Sequence, residues 1–201
     1  MSDLQQEYNQ YAQQYNQSHQ ILNPDFEKIL RKFISILPKD SLVLDLGCGN
    51  GRDMKFLFQN NIKVEGYDFS EEMIKIAKKN VPQANFSLKD IEKDLFPKQK
   101  YDGIIANCSL LHFPKNKISK IFAKIHQTIK KNGIFLVRFK AGSGEHELEI
   151  EINQQKIKRF FAFYSKKELK HLLEKKFKVL EIFTNQGKRG NWYIVMICQK
   201  I

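Results

Sequence analysis

Apolar positions recur along this chain with two periods, and the two alternate. Phe26, Ile29, Leu30, Phe33, Ile34 and Leu37 fall at helical spacing, behind a capping Asn23 and a Pro24 suited to the first helical position. Pro38 ends that helix. "SLVLDLG" is a short unbroken apolar run and reads as a buried strand, with "KVEGYD" as the next. "SEEMIKIAKKN" is a helix capped by Ser70, with Glu71 and Glu72 at its positive end. "NFSLKD" and "YDGIIAN" read as strands, "KISKIFAKIHQTIKKNG" as an amphipathic helix expected to stop at Gly133, and "IFLVRFK" as another strand. Strands alternating with helices predict parallel βαβ units. The tail differs. "SKKELKHLLEKKF" has a Ser165–Glu168 capping box, and "KVLEIFT" and "NWYIVMICQK" flank the Gly-bearing "NQGKRG" as an antiparallel pair. The pattern predicts an α/β fold: a doubly wound, mostly parallel sheet, antiparallel at its C-terminal end.

Composition narrows the picture modestly. At 201 residues, 42% hydrophobic and 28% charged, the chain suits one globular domain. No apolar run reaches membrane-spanning length, because "YDGIIANCSLLHFP" is interrupted by Asn107, Ser109 and His112. The polar start "MSDLQQEYNQYAQQYNQ" has no signal-peptide character. Cys48, Cys108 and Cys198 form neither a disulfide framework nor a zinc pattern, which predicts a cytoplasmic protein with no metal. The net charge of +12 raises nucleic acid as a partner. Only five of the 34 basic residues are arginine, however, and lysine lacks the bidentate fork that base readout prefers.

The candidate chemistry centres on "LDLGCGNGRD". Gly47 and Gly49 fit a dinucleotide fingerprint, but its third glycine should stand at position 52, which is Arg52, and Gly51 stands one place early. Asp45 beside the turn suits an amine or a sulfonium better than a phosphate. Asp68, at the end of the second strand, offers a carboxylate to both hydroxyls of a ribose, and Phe69 can lie along a base. Asp90, at the end of the third, can accept from an adenine amino group, with Ile91 against the ring. Helix capping and a turn are the plain alternatives for the two acids.

"VLDLGCGNGRD", "VEGYDFSEEMIKIAKKN", "LKDIE", "YDGIIANCSLLHFP" and "IKKNGIFLVRFK" resemble, in order, the motifs of class I S-adenosylmethionine-dependent methyltransferases. "GCGNGRD", "SLLH", "FKAGSGE" and "RFFAFYS" are similar to small bacterial members, some of the tellurite-resistance type. The likeness covers roughly residues 40–201. It implies a Rossmann-like seven-stranded sheet with an antiparallel C-terminal strand and helices on both faces. It also implies a single domain over residues 21–201, with residues 1–20 as a helical lid. The implied cofactor is S-adenosylmethionine, with S-adenosylhomocysteine as product. Asp45, Gly47, Cys48 and Gly49 would lie along its methionine part, Asp68 at the ribose, and Asp90 and Ile91 at the adenine, with Phe69 along the base. Asn107, Cys108 and Ser109 would approach the sulfonium and amino group. Arg52 would neutralise the cofactor carboxylate or pair with Asp53, and Met73 would pack under the ribose or in the core. Tyr8, Tyr11 and Tyr15, on one helical face, resemble the family's lid tyrosines.

His112, after the fourth strand, is the best candidate for a catalytic base, if the acceptor has a proton to lose; a histidine packed on its own loop is the plain alternative. The acceptor is expected at "KAGSGEHELEIE", "RFFAFYS" and "TNQGKRGNWY". There Glu145, Glu147, Glu149 and Glu151 share one strand face, which reads either as a solvated loop and strand or as carboxylates that would attract a cationic or amine acceptor, with Phe161, Tyr164 and Trp192 as walls. This favours a small-molecule acceptor on a monomer or weak homodimer. An RNA methyltransferase using the lysine-rich helix near the C-terminus, or a cofactor-binding protein without catalysis, are the alternatives.

Overall fold

The computed structural model describes residues 3–152, 155–187 and 190–201. Two short helices, α1 (Asp3–Gln10) and α2 (Ala12–Ser18), precede α3 (Pro24–Ser35). Then follow β1 (Leu42–Leu46), α4 (Arg52–Gln59), β2 (Lys63–Asp68), α5 (Glu71–Asn80), β3 (Asn85–Leu88) and β4 (Tyr101–Asn107). A single 3₁₀ turn (Leu110–His112) leads to α6 (Lys115–Thr128) and β5 (Ile129–Lys140). The chain finishes through β6 (Glu145–Ile152), β7 (Gln155–Ala162), α7 (Lys166–Leu173), β8 (Phe177–Gln186) and β9 (Trp192–Lys200).

Seven strands form one sheet in the order β3-β2-β1-β4-β5-β9-β8. The pairings from β3 through β5 are all parallel. β9 runs antiparallel to both β5 and β8, so the reversed strand lies inside the sheet and β8 is the edge. Strand alternation splits the core in two. Leu44, Leu46, Ile104 and Phe135 point to the face covered by α6 and α7, with Phe122 and Leu169. Val43, Ile105 and Leu136 point to the other, with Phe26 and Phe33 of α3 and Met54 and Leu57 of α4.

The caps read from the sequence are present. The Asn23 side chain accepts from the backbone of Asp25 and Phe26, that of Ser70 from Met73, and that of Ser165 from Glu168. Two expectations fail locally. The helix expected to run to Gly133 ends at Thr128, and Ile129 already pairs with Tyr101 as a strand. β-Branched Thr128 and Ile129 suit the sheet, and β5 then takes up an irregularity opposite Tyr101–Gly103, with Asn132 at positive φ. The tyrosine-bearing helix is also broken, at Tyr11, into α1 and α2. β6 and β7 form a separate two-stranded sheet standing off the main one. Among the described residues no helix is long and apolar enough to cross a membrane.

Candidate functional site

The C-terminal ends of β1, β2, β3 and β4 surround a cleft of about 300 Å³, where ligands bind in open α/β sheets. The turn after β1 is built to let something approach. Gly47 sits at φ 75°, where a Cβ would fall 2.3 Å from the Cβ of Ser109. A side chain there would thus both strain the backbone and push the turns after β1 and β4 apart. Gly49, also left-handed, faces the cleft, with only the Tyr15 ring near its missing Cβ.

Asp68 closes β2 at the cleft wall. Its Oδ2 accepts from the Gly49 N–H at 2.8 Å and its Oδ1 from the Ser70 N–H at 2.9 Å. Burial lifts its carboxyl to about 6, against the pull of these backbone donors. Phe69 lies beside it, with Asp90 and Ile91 opposite. Asp90 Oδ1 accepts from the backbone of Glu92 and Lys93, which holds this turn in shape. Asn107, Cys108 and Ser109 line the cleft from the end of β4. The Asn107 amide donates to Asp53 Oδ2 at 2.6 Å and accepts from Arg138 Nη1 at 3.4 Å.

Tyr8 and Tyr15 line the same cleft from above. They pack with Ala12 against Met73 and Ile76 of α5, which seats α1 and α2 on the domain. The Tyr8 hydroxyl lies 3.0 Å from His112 Nε2, while His112 Nδ1 lies 3.1 Å from the carbonyl of Phe160. A carbonyl only accepts, so Nδ1 carries the proton and Nε2 takes the tyrosine hydroxyl. Burial pushes the histidine down to about 4, so it is neutral at neutral pH. Its one lone pair is engaged by Tyr8, a poor arrangement for a catalytic base.

Other candidates fall elsewhere. Tyr11, Asp45, Cys48 and Met73 are buried behind the cleft rather than on it. Burial and the neighbouring Asp53 raise the Asp45 carboxyl well above the usual range. Arg52 pairs with Asp53 at 2.7 Å, the structural alternative of the two expected for it. For the glutamate ladder the solvated alternative holds. Glu145, Glu147, Glu149 and Glu151 face solvent, because Leu148, Ile150 and Ile152 take the inner face of β6. Glu145 accepts from the Lys115 N–H and Glu149 pairs with Lys156. Tyr164 is a core residue against Phe139, and Trp192 is 55% exposed, so neither is a wall of the cleft. Phe161 is buried behind His112, with ring centroids 5.1 Å apart. Lys188 and Arg189 of the "GKRG" loop lie outside the described residues.

The sequence reading missed a polar seam behind this cleft. Glu7 of α1 pairs with Arg159 of β7, which also reaches the Tyr8 hydroxyl at 3.4 Å. The signal for Arg138 was available: it is the one charge within the buried run "IFLVRF".

A family model for a methyltransferase domain matches residues 43–133, the segment that carries every strand end around the cleft. Over that segment the chain is similar to methyltransferases. Trans-aconitate 2-methyltransferase of Variovorax paradoxus is 38% identical over 93 residues, 44% of this chain and 36% of that one. An uncharacterised methyltransferase of Synechocystis is 33% identical over 94 residues, 46% of this chain and 44% of its own length. The chain thus matches less than half the length of these curated relatives. Among solved structures, the Burkholderia thailandensis 1,6-didemethyltoxoflavin-N1-methyltransferase superposes with a TM-score of 0.76 at 20% identity, covering 98% of this chain and 87% of that one. That degree of identity speaks for the fold. The family's cofactor fits what the cleft offers: a turn without side chains at Gly47 and Gly49, a carboxylate at Asp68 and an apolar wall at Ile91.

Proposed function

We propose that the protein is an S-adenosylmethionine-dependent methyltransferase acting on a small molecule. The observation that carries this is the convergence on one cleft of the side-chain-free turn at Gly47 and Gly49 with Asp68, Asp90, Ile91 and Asn107. Bound there, the cofactor supplies a methyl group already activated for transfer. Asp68 would hold the ribose hydroxyls, each of its oxygens keeping a lone pair beyond its backbone bond. Asp90 and Ile91 would hold the adenine, and Asn107, Cys108 and Ser109 the methionine end. Burial raises the Cys108 thiol, so it serves as a neutral wall rather than a competing nucleophile.

What remains for the protein is alignment and exclusion of water, and positioning of this kind is worth roughly 7–11 kcal/mol. Tyr8 and Tyr15 cover the cleft, and the Glu7–Arg159 pair ties that cover to β7. Such a cover favours an acceptor small enough to be enclosed over a polymer laid across an open groove. The acceptor atom would arrive with its lone pair free, since His112 is held neutral and engaged. Purified protein, incubated with S-adenosylmethionine and a fractionated metabolite pool, should release S-adenosylhomocysteine in an acceptor-dependent way. Release stimulated by transfer RNA above every metabolite fraction would overturn the small-molecule reading.

A further inference from the structure

A second cavity of about 300 Å³ lies behind the cleft and shares no lining residue with it. The wall between them is made of side chains in contact, one lining each space. Four contacts cross it: Asn107 to Arg138, His112 to Phe161, the Tyr8 hydroxyl to Arg159, and the Tyr15 ring stacked on His19 at 4.1 Å. In each pair the first residue lines the cleft and the second lines the inner cavity.

Among the described residues four cationic side chains face this cavity: Arg52, Arg138, Lys140 and Arg159. Arg52 has Asp53, and Arg159 has Glu7. Arg138 differs. It is only 7% exposed, and among the described residues it makes no ion pair. Its Nη1 meets the neutral Asn107 oxygen, its guanidinium lies 4.0 Å from the Tyr193 ring centroid and 4.7 Å from that of Phe26, and its buried Nε donates to nothing. Two residues along β5, on the same strand face, half-buried Lys140 sets its Nζ 3.6 Å from the Phe161 ring centroid. A desolvated guanidinium with an unused donor, beside a second cation and aromatic walls, is an anion site of the kind that takes a planar carboxylate.

We propose that this inner cavity binds the methyl acceptor through a carboxylate group, anchored by Arg138 and Lys140. Calling the anion the acceptor rests on the methyltransferase reading; the anion site itself does not. The expectation from the glutamates of β6 is thereby reversed: the acceptor is anionic, not cationic.

The test uses three probes of one size and different charge: benzoate, benzamide and benzylamine. Each is titrated calorimetrically into the protein, free and saturated with S-adenosylhomocysteine. Benzoate should bind at least about tenfold more tightly than the other two in both states. Lys140→Gln and Arg138→Gln should each weaken benzoate by about fivefold or more and leave S-adenosylhomocysteine within about twofold of wild type. If buried Arg138 does not tolerate replacement, half-buried Lys140 carries the test. Equal binding of the three probes, or unchanged benzoate affinity in Lys140→Gln, overturns the proposal. Competition of benzoate with S-adenosylhomocysteine, with both weakened in the variants, also overturns it, since the cations would then serve the cofactor's own carboxylate. Should S-adenosylhomocysteine itself not bind, the methyltransferase reading fails, while the free-protein titration still decides the anion site.

Discussion

Lowering the pH from about 7 to about 5 should weaken S-adenosylhomocysteine binding by close to tenfold, with Asp68 as the cause. Asp68 is 6% exposed, and its carboxyl stands at about 6 instead of its ordinary 3.8, because burial outweighs the backbone hydrogen bonds it accepts. A ribose diol donates two hydrogen bonds and prefers the ionised form, so binding expels a proton wherever the free carboxyl still holds one. Affinity therefore falls as the pH drops through about 6 and is flat above about 7. One unit below the pKa about a tenth of the protein is ionised, a penalty of about 1.4 kcal/mol. Titration calorimetry in two buffers of different ionisation enthalpy reads both the affinity and the released proton. Asp68→Asn should bind more weakly by about 1–3 kcal/mol, since neutral acceptors replace charged ones, and should show no inflection near pH 6. A wild-type affinity that is flat across this range, or a folded Asp68→Asn with undiminished affinity, would refute the reasoning.

Gly47→Ala should abolish cofactor binding and lower the melting temperature, because φ 75° and the Ser109 contact both exclude a Cβ; the left-handed strain alone is worth about 1–2 kcal/mol, and scanning calorimetry with a binding titration checks both effects. Tyr8→Phe removes the hydroxyl shared by His112 and Arg159, and should raise the cofactor dissociation constant several-fold with little change in secondary structure by circular dichroism. Burial gives Asp68 and His112 opposite linkage to pH. Native Asp68 binds more protons than the unfolded chain between about 4 and 6, so it makes stability fall as pH rises; native His112, held at about 4 against 6.5, binds fewer and makes stability rise. Asp68→Asn should therefore show a steeper gain of melting temperature from pH 4 to pH 6 than wild type does, and parallel curves would contradict the assignment.

The parts legible in the sequence are those where local chemistry and tertiary need agree. Ser70, Asn23 and Ser165 cap helices wherever they stand, and the glycines of the first turn need the same φ in any surrounding. The acids at the ends of β2 and β3 follow from topology alone, and both reach the cleft. The glutamate ladder left two readings open because a period of two identifies a face but not its direction; partly buried Leu148, Ile150 and Ile152 decide for the solvated one. Met73 takes the core alternative, and Asp45 lies behind the cleft, because proximity along the chain to a binding turn does not decide on which side of the backbone a side chain falls. Arg138 was overlooked inside an apolar strand, where a charge without local reason is itself the information.

The position of β9 between β5 and β8 sets an order of assembly. The strands whose ends surround the cofactor cleft, β1 to β4, come from a continuous stretch of chain and pair within it. The anion cavity does not. Arg138 and Lys140 stand on a strand whose second neighbour arrives only with Trp192–Lys200, and Tyr193, the ring over Arg138, comes with it. During synthesis the cofactor half can close while β5 still presents an open edge and its arginine lies uncovered. Such an intermediate would meet the cofactor before an acceptor, and on the proposed reading pairing of β9 would be the event that completes the acceptor site.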